Sequence, residues 1–409
     1  MNRAAAPRPL SGFPELLPAQ RHVEREVIET LSRTFELHGF ANIETRAVEP
    51  MDQLLRKGDT SKEVYVLRRL HDTSDQDGEA QNAGVGLHFD LTVPFARYVL
   101  ENAGKLEFPF RRYQIQKVWR GERPQEGRFR EFLQADIDIV GKDELPFHHD
   151  VEIAKVMLEA LSRLARPESI GLAGFTLQVN NRKLIQGFYT GLGIADVDEA
   201  MRLIDKLDKL SADRVRQLLV DEAGTTAAQA DQALALAAIT ADDDSFVEQV
   251  RALGVRHALL DEGLDELAAL MRSCAPLNTD RVRIRAELMI ARGLDYYTGT
   301  VFETRLEGYE HLGSICSGGR YDSLASDGRT TYPGVGISLG VSRVLVPLMN
   351  KGLVTSDRSV PSAVLVALAD EDSRPASDAI ATTLRANDVP CEVAASPQKF
   401  GKQIRYAER

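Results

Sequence analysis

The sequence predicts an α+β protein: an antiparallel sheet flanked by helices, interrupted by a helical insertion and followed by a small, partial α/β unit. Three observations predict it. "YQIQKVWR" (113–120) and "REFLQADIDIV" (130–140) alternate apolar and polar residues across the polar loop "GERPQEGRF", as the two strands of an antiparallel hairpin do. From about 181 to 272 the composition turns to Ala, Leu, Asp and Glu with few aromatics, which reads as a helical insertion. Near the end, "SAVLVALAD", a helix near 376–387, "CEVAA" and a last helix ending in "QIRYAER" alternate in the βαβα order of a parallel sheet.

The elements follow in order. Residues 21–38 place Val23, Val27, Ile28, Leu31 and Phe35 on one helical face, with Gly39 as the stop. The polar run "HDTSDQDGEAQNAG" (71–84) reads as a mobile surface loop. "GLHFDLTVPFARYVL" reads as a short strand and then a helix from near Thr92, with Pro94 tolerated in its first turn. After the hairpin come a helix over about 149–165 and the strand "GFTLQVNN". Strands resume after the insertion in "VRIRAELMIARGLDYYTGTVFETRLEG" and run to "GVGISLGVSRVLVPLM". The expected domains are 1–350, carrying the insertion, a linker at 351–361, and 362–409. The last stops on a helix without strands to finish its sheet, so it is expected to be incomplete.

The totals bound the function. At 409 residues the chain exceeds one ordinary core, and 43% apolar with 27% charged residues is a soluble globular balance. No run of about 18 apolar residues is present, so no membrane span is expected. The N-terminal stretch lacks an apolar export core, and Cys274, Cys316 and Cys391 are too scattered for a disulfide framework; a reduced, cytoplasmic protein is expected. Neither HExxH nor CxxC occurs, so no protein-held metal is expected. The net charge of −11 argues only weakly against a nucleic-acid partner, because phosphate contacts need a local basic surface. "RRYQIQKVWRGERPQEGRFR" (111–130) offers one, with Arg111, Arg112, Lys117, Arg120, Arg123, Arg128 and Arg130.

Five constellations carry chemistry. Gln134, Asp136 and Asp138 share one face of a strand, which is either open to water or binds something polar. In "HFDLT", Asp90 and Thr92 sit at a helix start, where they fit either a simple cap or the two charged groups of a small zwitterion. "ARGLDYYTGTVFE" (291–303) puts Arg292, Tyr296 and Tyr297 around glycine turns. Gly318 and Gly319 in "CSGGRYDSL" permit close backbone approach to a ligand. "YPGVGISLGVSRVLVPL" is a glycine-punctuated strand running into a helix with Arg343; its glycines miss the dinucleotide spacing, and no Walker A loop occurs. Together these supply separated arginines, carboxylates and glycines along a sheet, a combination suited to a polyphosphate beside a small cation-bearing molecule.

Those residues also carry a resemblance. "WRGERPQEGRFREFLQADIDIVG", "GVGISLGVSRVL" and "IETRAVEPMDQLL" resemble motifs 2, 3 and 1 of the class II aminoacyl-tRNA synthetases. "ARGLDYYTGTVFE" and "SGGRYDSL" resemble the two signatures special to the histidyl-tRNA synthetase family, and the likeness spans roughly 10–409. It implies a class II antiparallel catalytic sheet, a C-terminal anticodon-binding domain and a homodimer joined through motif 1. It also implies an enzyme that activates L-histidine with ATP and Mg2+ and passes it to tRNA(His).

By this resemblance Arg120 would hold the α-phosphate and the histidine carboxylate, Glu122 the adenine amino group, Arg128 the outer phosphates and Arg343 the γ-phosphate. Arg292 would stabilise charge at the α-phosphate. Asp90, Thr92 and Gln134 would hold the substrate's ammonium and orient its carboxylate, with Leu91 in the same histidine-binding segment. Asp138 and Tyr297 would read the imidazole nitrogens, and Tyr296 and Tyr321 would line the pocket. Asp90 and Asp138 stand where many bacterial members have glutamate, and "DLTVPFARY" resembles the eukaryote-like branch. His88 occupies a position where arginine is common. The rival readings are a non-catalytic paralogue, the regulatory subunit of an ATP phosphoribosyltransferase, and a deacylated-tRNA sensor module; the retained Arg120, Arg292, Tyr297 and Arg343 speak against the first.

Overall fold

A computed structural model describes residues 8–55, 63–69, 84–167, 170–291, 296–356 and 360–408. The loop read at 71–84, Gly84 excepted, and Arg292 lie outside the described residues.

Helix α1 (Pro18–Leu37) buries Val27, Leu31 and Phe35, spaced four apart, and Gly39 ends the turn with a φ of 78°. Short elements follow: β1 (Ala41–Asn42), β2 (Val48–Pro50), α2 (Met51–Leu54), β3 (Val66–Leu67) and β4 (Val85–Leu87). Next come α3 (Thr92–Asn102), the hairpin strands β5 (Phe110–Trp119) and β6 (Glu131–Val140), α4 (His148–Ala165) and β7 (Phe175–Asn181). The insertion is helical apart from one short strand: α5 (Arg182–Gly191), α6 (Val197–Ile204), α7 (Ala212–Asp221), α8 (Ala227–Ala237), β8 (Thr240–Ala241), α9 (Phe246–Ala252) and α10 (Ala258–Cys274). Local rules start these helices. Asn181 caps α5 through Lys183 N, and Thr226 with Gln229 forms a capping box on α8.

Strands then return as β9 (Val282–Glu287), β10 (Thr300–Leu306), β11 (Cys316–Tyr321) and β12 (Gly334–Gly340), which runs into α11 (Val341–Asn350). The main sheet has nine strands in the order β1-β5-β6-β12-β11-β10-β7-β9-β8. It is antiparallel except at β1–β5 and β7–β9. The second exception has a physical cause. Parallel neighbours need a long crossover, and the α5–α10 segment is the one that joins β7 to β9. Helix α4 packs across β6, β7, β9 and β12, burying Ile153, Met157, Leu161 and Leu164. A small three-stranded sheet, β2-β4-β3, leads into α3.

The chain divides into two compact units, 1–14 with 27–348, and 15–26 with 349–409. The second contains β13 (Val364–Val366), α12 (Arg374–Ala386), β14 (Cys391–Val393) and α13 (Phe400–Ala407). Its two strands are parallel, and Val366, Ala381 and Cys391 form its small core. Gln403 of α13 bonds the Leu368 backbone twice, accepting from its N at 3.0 Å and donating to its O at 2.7 Å. A buried amide thus satisfies the Leu368 main-chain groups.

Candidate active site

The hairpin register builds the floor of the site. Arg112 pairs with Asp138, Gln114 with Asp136, and Gln116 with Gln134, so these side chains share one face. On the other flank of β6, Asp138 lies opposite Gly336, Asp136 opposite Ser338, and Gln134 opposite Gly340. Gln134, Asp136 and Asp138 are all buried, which removes the reading of a water-exposed face. Gln134 and Asp136 are instead bonded to each other and to β12: Gln134 Nε2 donates to Asp136 Oδ1 at 2.9 Å and to Ser338 Oγ at 3.1 Å.

Above this face lies a cavity of about 310 Å³. Asp90, Thr92, Arg120, Glu122, Arg128, Gln134, Asp138, Tyr296, Tyr297, Tyr321 and Arg343 all line it. Segments as distant as α3, the hairpin, the start of β10, β11 and α11 therefore meet at one place. Leu91 is fully buried beneath α3, and its side chain does not line the cavity. Arg292 lies outside the described residues.

One end is built around Asp138. The Tyr321 hydroxyl donates to its Oδ1 at 2.8 Å, and Arg112 Nη2 lies 2.7 Å from its Oδ2. The rings of Tyr296 and Tyr297 stack with centroids 4.1 Å apart. Burial, reinforced by the neighbouring Asp138 carboxylate, pushes the Tyr297 and Tyr321 phenols well above their ordinary range, so both remain donors. Gly318 and Gly319 line the cavity, where close ligand approach is expected, and glycines also make room for side chains at this end. A side chain at Gly319 would meet the Tyr297 ring at 2.8 Å, and one at Gly334 the Tyr321 ring at 2.5 Å. One at Gly336 would reach Asp138 Cγ at 2.5 Å. The space is taken by recognition side chains.

The other end is cationic. Arg343, in the first turn of α11, donates through Nε and Nη2 to the Leu312 carbonyl at 3.0 and 2.6 Å, which fixes its fork. Arg120 Nε donates to the Phe89 carbonyl at 3.0 Å, with its guanidinium 5.2 Å from the Phe132 ring centre. Arg128 Nη1 lies 3.5 Å from Glu122 Oε2. Along β12 the two ends are marked by Gly340, beside Arg343, and Gly336, beside Asp138. Four strand residues span about 13 Å, the length of an extended small molecule joined to a phosphate.

The structure redistributes the basic run of 111–130. Arg111 forks onto Glu152 at 3.0 and 3.1 Å, Lys117 pairs with Glu131 at 2.5 Å, and Arg130 Nε donates to the Glu122 carbonyl at 3.3 Å. Of that run, Arg120 and Arg128 line the cavity. At the start of α3 the capping carboxylate is Asp90, whose Oδ1 accepts from Val93 N at 3.0 Å; the simple Thr92 cap is not what forms. His88 is buried against Trp119, with Nε2 2.7 Å from the Lys117 carbonyl, and does not reach the cavity. Burial lowers its pKa, so the ring stays neutral and donates to that carbonyl.

Two supporting features escaped sequence reasoning. One is Arg112, which the hairpin register alone would have set opposite Asp138. The other is the Arg320–Asp150 pair, 2.6 Å between Nη1 and Oδ2. It ties α4 to the loop before β10, because the Arg320 carbonyl accepts from Thr298 N at 2.8 Å. Burial raises the Asp150 pKa from 3.8 to about 6, with Arg320 and Thr300 opposing. The folded protein therefore holds this proton more tightly than the unfolded chain does. Its contribution to stability is fully present below about pH 4 and fades as the pH rises through about 6. Asp150→Asn should lack this dependence. The stability difference between wild type and variant, read from urea unfolding at pH 4 and pH 7, should shift by about 2 kcal/mol, wild type losing ground at the higher pH. A constant difference would contradict the assignment.

Comparison with known proteins gives the family. The histidyl-tRNA synthetase family model matches residues 12–344. A histidine–tRNA ligase of Cutibacterium acnes is 58% identical over 405 residues, covering 98% of this chain and 87% of that protein. Among solved structures, the histidyl-tRNA synthetase of Nostoc sp. PCC 7120 superposes with a TM-score of 0.84 at 31% identity, over 99% of this chain and 90% of the other. An ATP phosphoribosyltransferase regulatory subunit/histidyl-tRNA synthetase of Bacillus halodurans gives a TM-score of 0.79 at 18% identity, covering 98% and 97%, a likeness of fold alone. The matched region includes every strand and side chain that lines the cavity, and on this ground the chain belongs to the histidyl-tRNA synthetase family.

Proposed function

We propose that the chain is a histidine–tRNA ligase whose cavity holds histidine at the Asp138 end and ATP at the Arg343 end. The observation that carries the reading is the polarity of one continuous pocket: a bonded carboxylate–phenol pair at one end, and Arg120, Arg128 and Arg343 at the other. The substrate's own carboxylate is the nucleophile. One of its oxygens attacks the α-phosphorus of ATP, the bond to the β-phosphate oxygen breaks, and diphosphate leaves as histidyl-adenylate forms. A tRNA(His) 3′-terminal hydroxyl then attacks the acyl carbon, and AMP departs.

No protein nucleophile is required; the chain's task is to orient and to stabilise charge. Arg120 bridges the α-phosphate and the histidine carboxylate, with Arg292 assigned to the same charge by its place in the signature. Arg343 holds the γ-phosphate and Arg128 the outer phosphates, while Glu122 faces the adenine amino group. Asp90, Thr92 and Gln134, with Leu91 contributing only main chain, take the ammonium and carboxylate. Asp138 and Tyr297 engage the two imidazole nitrogens, and Tyr296 and Tyr321 wall the ring. A wrong amino acid would leave this buried carboxylate and these phenols unpaired, which is costly and therefore selective.

Magnesium fits as part of the ATP complex. The cavity's carboxylates are Asp90, Glu122 and Asp138; Asp90 caps α3 and Asp138 is engaged by Tyr321 and Arg112. The ion's oxygen ligands would then come chiefly from phosphates and water, and it would supply neutralisation of charge on the leaving group.

We further assign 1–350 as the catalytic domain with the insertion at about 181–272, 351–361 as the linker, and 362–409 as the anticodon-binding domain. Residues 43–55 form the homodimer interface in this reading. No helix among the described residues is long and apolar enough to cross a membrane, and a cytoplasmic site of action is the one proposed. Histidine-dependent ATP–diphosphate exchange, followed by charging of tRNA(His), tests the proposal. Exchange that needs histidine supports it; a folded protein without exchange would favour the regulatory-subunit reading.

A further inference from the structure

We propose that Arg112 is a positioning residue for histidine recognition: buried behind the cavity, it holds the Asp138 carboxylate in place for the imidazole. The inference rests on the proposed ligase reading and extends it to a residue outside the cavity wall.

Arg112 is completely buried and does not line the cavity. Its Nη2 is 2.7 Å from Asp138 Oδ2 and 3.9 Å from Asp136 Oδ2, its Nη1 donates to Gln114 Oε1 at 3.4 Å, and its guanidinium lies 4.2 Å from the Phe95 ring centre. A wholly buried guanidinium is expensive to desolvate and persists only where close partners compensate it. Two carboxylates on alternate positions of β6 provide that compensation, and the dependence is mutual. Burial already pushes the Asp136 carboxyl above its ordinary range, with Arg112 opposing and Asp90 adding to the rise, so loss of the cation would leave two buried carboxyl groups on one strand face without their compensating charge.

The geometry divides the work on Asp138. Tyr321 donates to Oδ1 at 2.8 Å, the Arg112 cation stands 2.7 Å from Oδ2 as an ion pair without hydrogen-bond alignment, and the carboxylate packs over the bare backbone of Gly336. An acceptor fixed in this way meets the ring N–H at a set angle. Gln114 extends the bracing outward, donating to Thr45 Oγ1 at 2.9 Å and to Gln116 Oε1 at 2.6 Å. Nothing in this chain of contacts touches the cationic end. The predicted effect therefore falls on histidine and spares ATP.

The test is steady-state ATP–diphosphate exchange with wild type, Arg112→Met, Arg112→Lys and the double variant Arg112→Met/Asp136→Asn, each checked for folding by circular dichroism. Arg112→Met should raise the KM for histidine about thirtyfold, with the KM for ATP within about twofold. Arg112→Lys, a cation without the fork, should fall between. The double variant should recover about tenfold of the loss, because it removes the second buried carboxyl group that the lost cation leaves uncompensated beside Asp138. Simple loosening of the fold would not be repaired by a second substitution. If Arg112→Met does not fold, Arg112→Lys and the double variant carry the same comparison. An unchanged KM for histidine in a folded variant without the cation, equal rises for histidine and ATP, or no recovery in the double variant would overturn the proposal. Absence of histidine-dependent exchange in the wild type would instead overturn the ligase reading itself.

Discussion

Arg120→Ala is expected to lower kcat/KM for adenylate formation by about a thousandfold, equivalent to about 4 kcal/mol of transition-state stabilisation. The expectation follows from how the side chain is held. Its backbone N donates to the Arg130 carbonyl at 2.9 Å across the hairpin mouth, and its Nε is anchored on the Phe89 carbonyl beside Asp90. The guanidinium is thus prepositioned at the cavity wall, and little reorganisation is needed when charge develops at the α-phosphorus. Because the anchor also fixes the segment carrying Asp90, a modest rise in the KM for histidine should accompany the fall in kcat. Single-turnover measurement of adenylate formation checks this. A fall below tenfold would mean that Arg120 is a structural arginine.

Gly336→Ala should also have a large effect, although it adds a single methyl group. The new Cβ would enter the space of the Asp138 carboxylate, 2.5 Å from its Cγ and 2.7 Å from the Ile137 carbonyl. Neither neighbour yields easily: the carbonyl belongs to the β6 ladder, and the carboxylate is held by Tyr321 and Arg112. Displacing the carboxylate breaks the Tyr321 hydrogen bond and separates it from the Arg112 cation. Histidine affinity should drop about a hundredfold, with a stability cost of about 1–3 kcal/mol from overpacking. Equilibrium binding and thermal melting measure the two effects separately. Unimpaired histidine binding would show that Asp138 has freedom the structure denies it.

Much of this was legible in the residues. The alternation in 113–120 and 130–140 marks the hairpin because each face meets a different environment, and period two records that directly. The spacing of Val27, Leu31 and Phe35 does the same for α1. What could not be read locally was register. Arg112 looks like one basic residue in a basic run, and only its alignment opposite Asp138 reveals a buried ion pair. The same limit affected Lys117 and Arg111, whose partners Glu131 and Glu152 sit across the hairpin and on α4. His88, at a position where arginine is common, is turned toward Trp119 by its strand end, an orientation that composition does not encode. The glycines of "CSGGRYDSL" and "YPGVGISLG" announce close approach, but not that Tyr297, Tyr321 and Asp138 do the approaching. Asp90 could have been recognised as the cap, since it stands three residues before Val93 N.

The account turns on a division of labour within one cavity: imidazole is read by Asp138, and nucleotide is held by Arg120, Arg128 and Arg343. Calorimetric titration of Asp138→Ala with histidine and, separately, with ATP tests this most directly. The predicted result is a loss of histidine affinity of about a hundredfold or more, with ATP binding within about twofold of wild type. Parallel loss of both affinities, or retention of histidine binding, would contradict it.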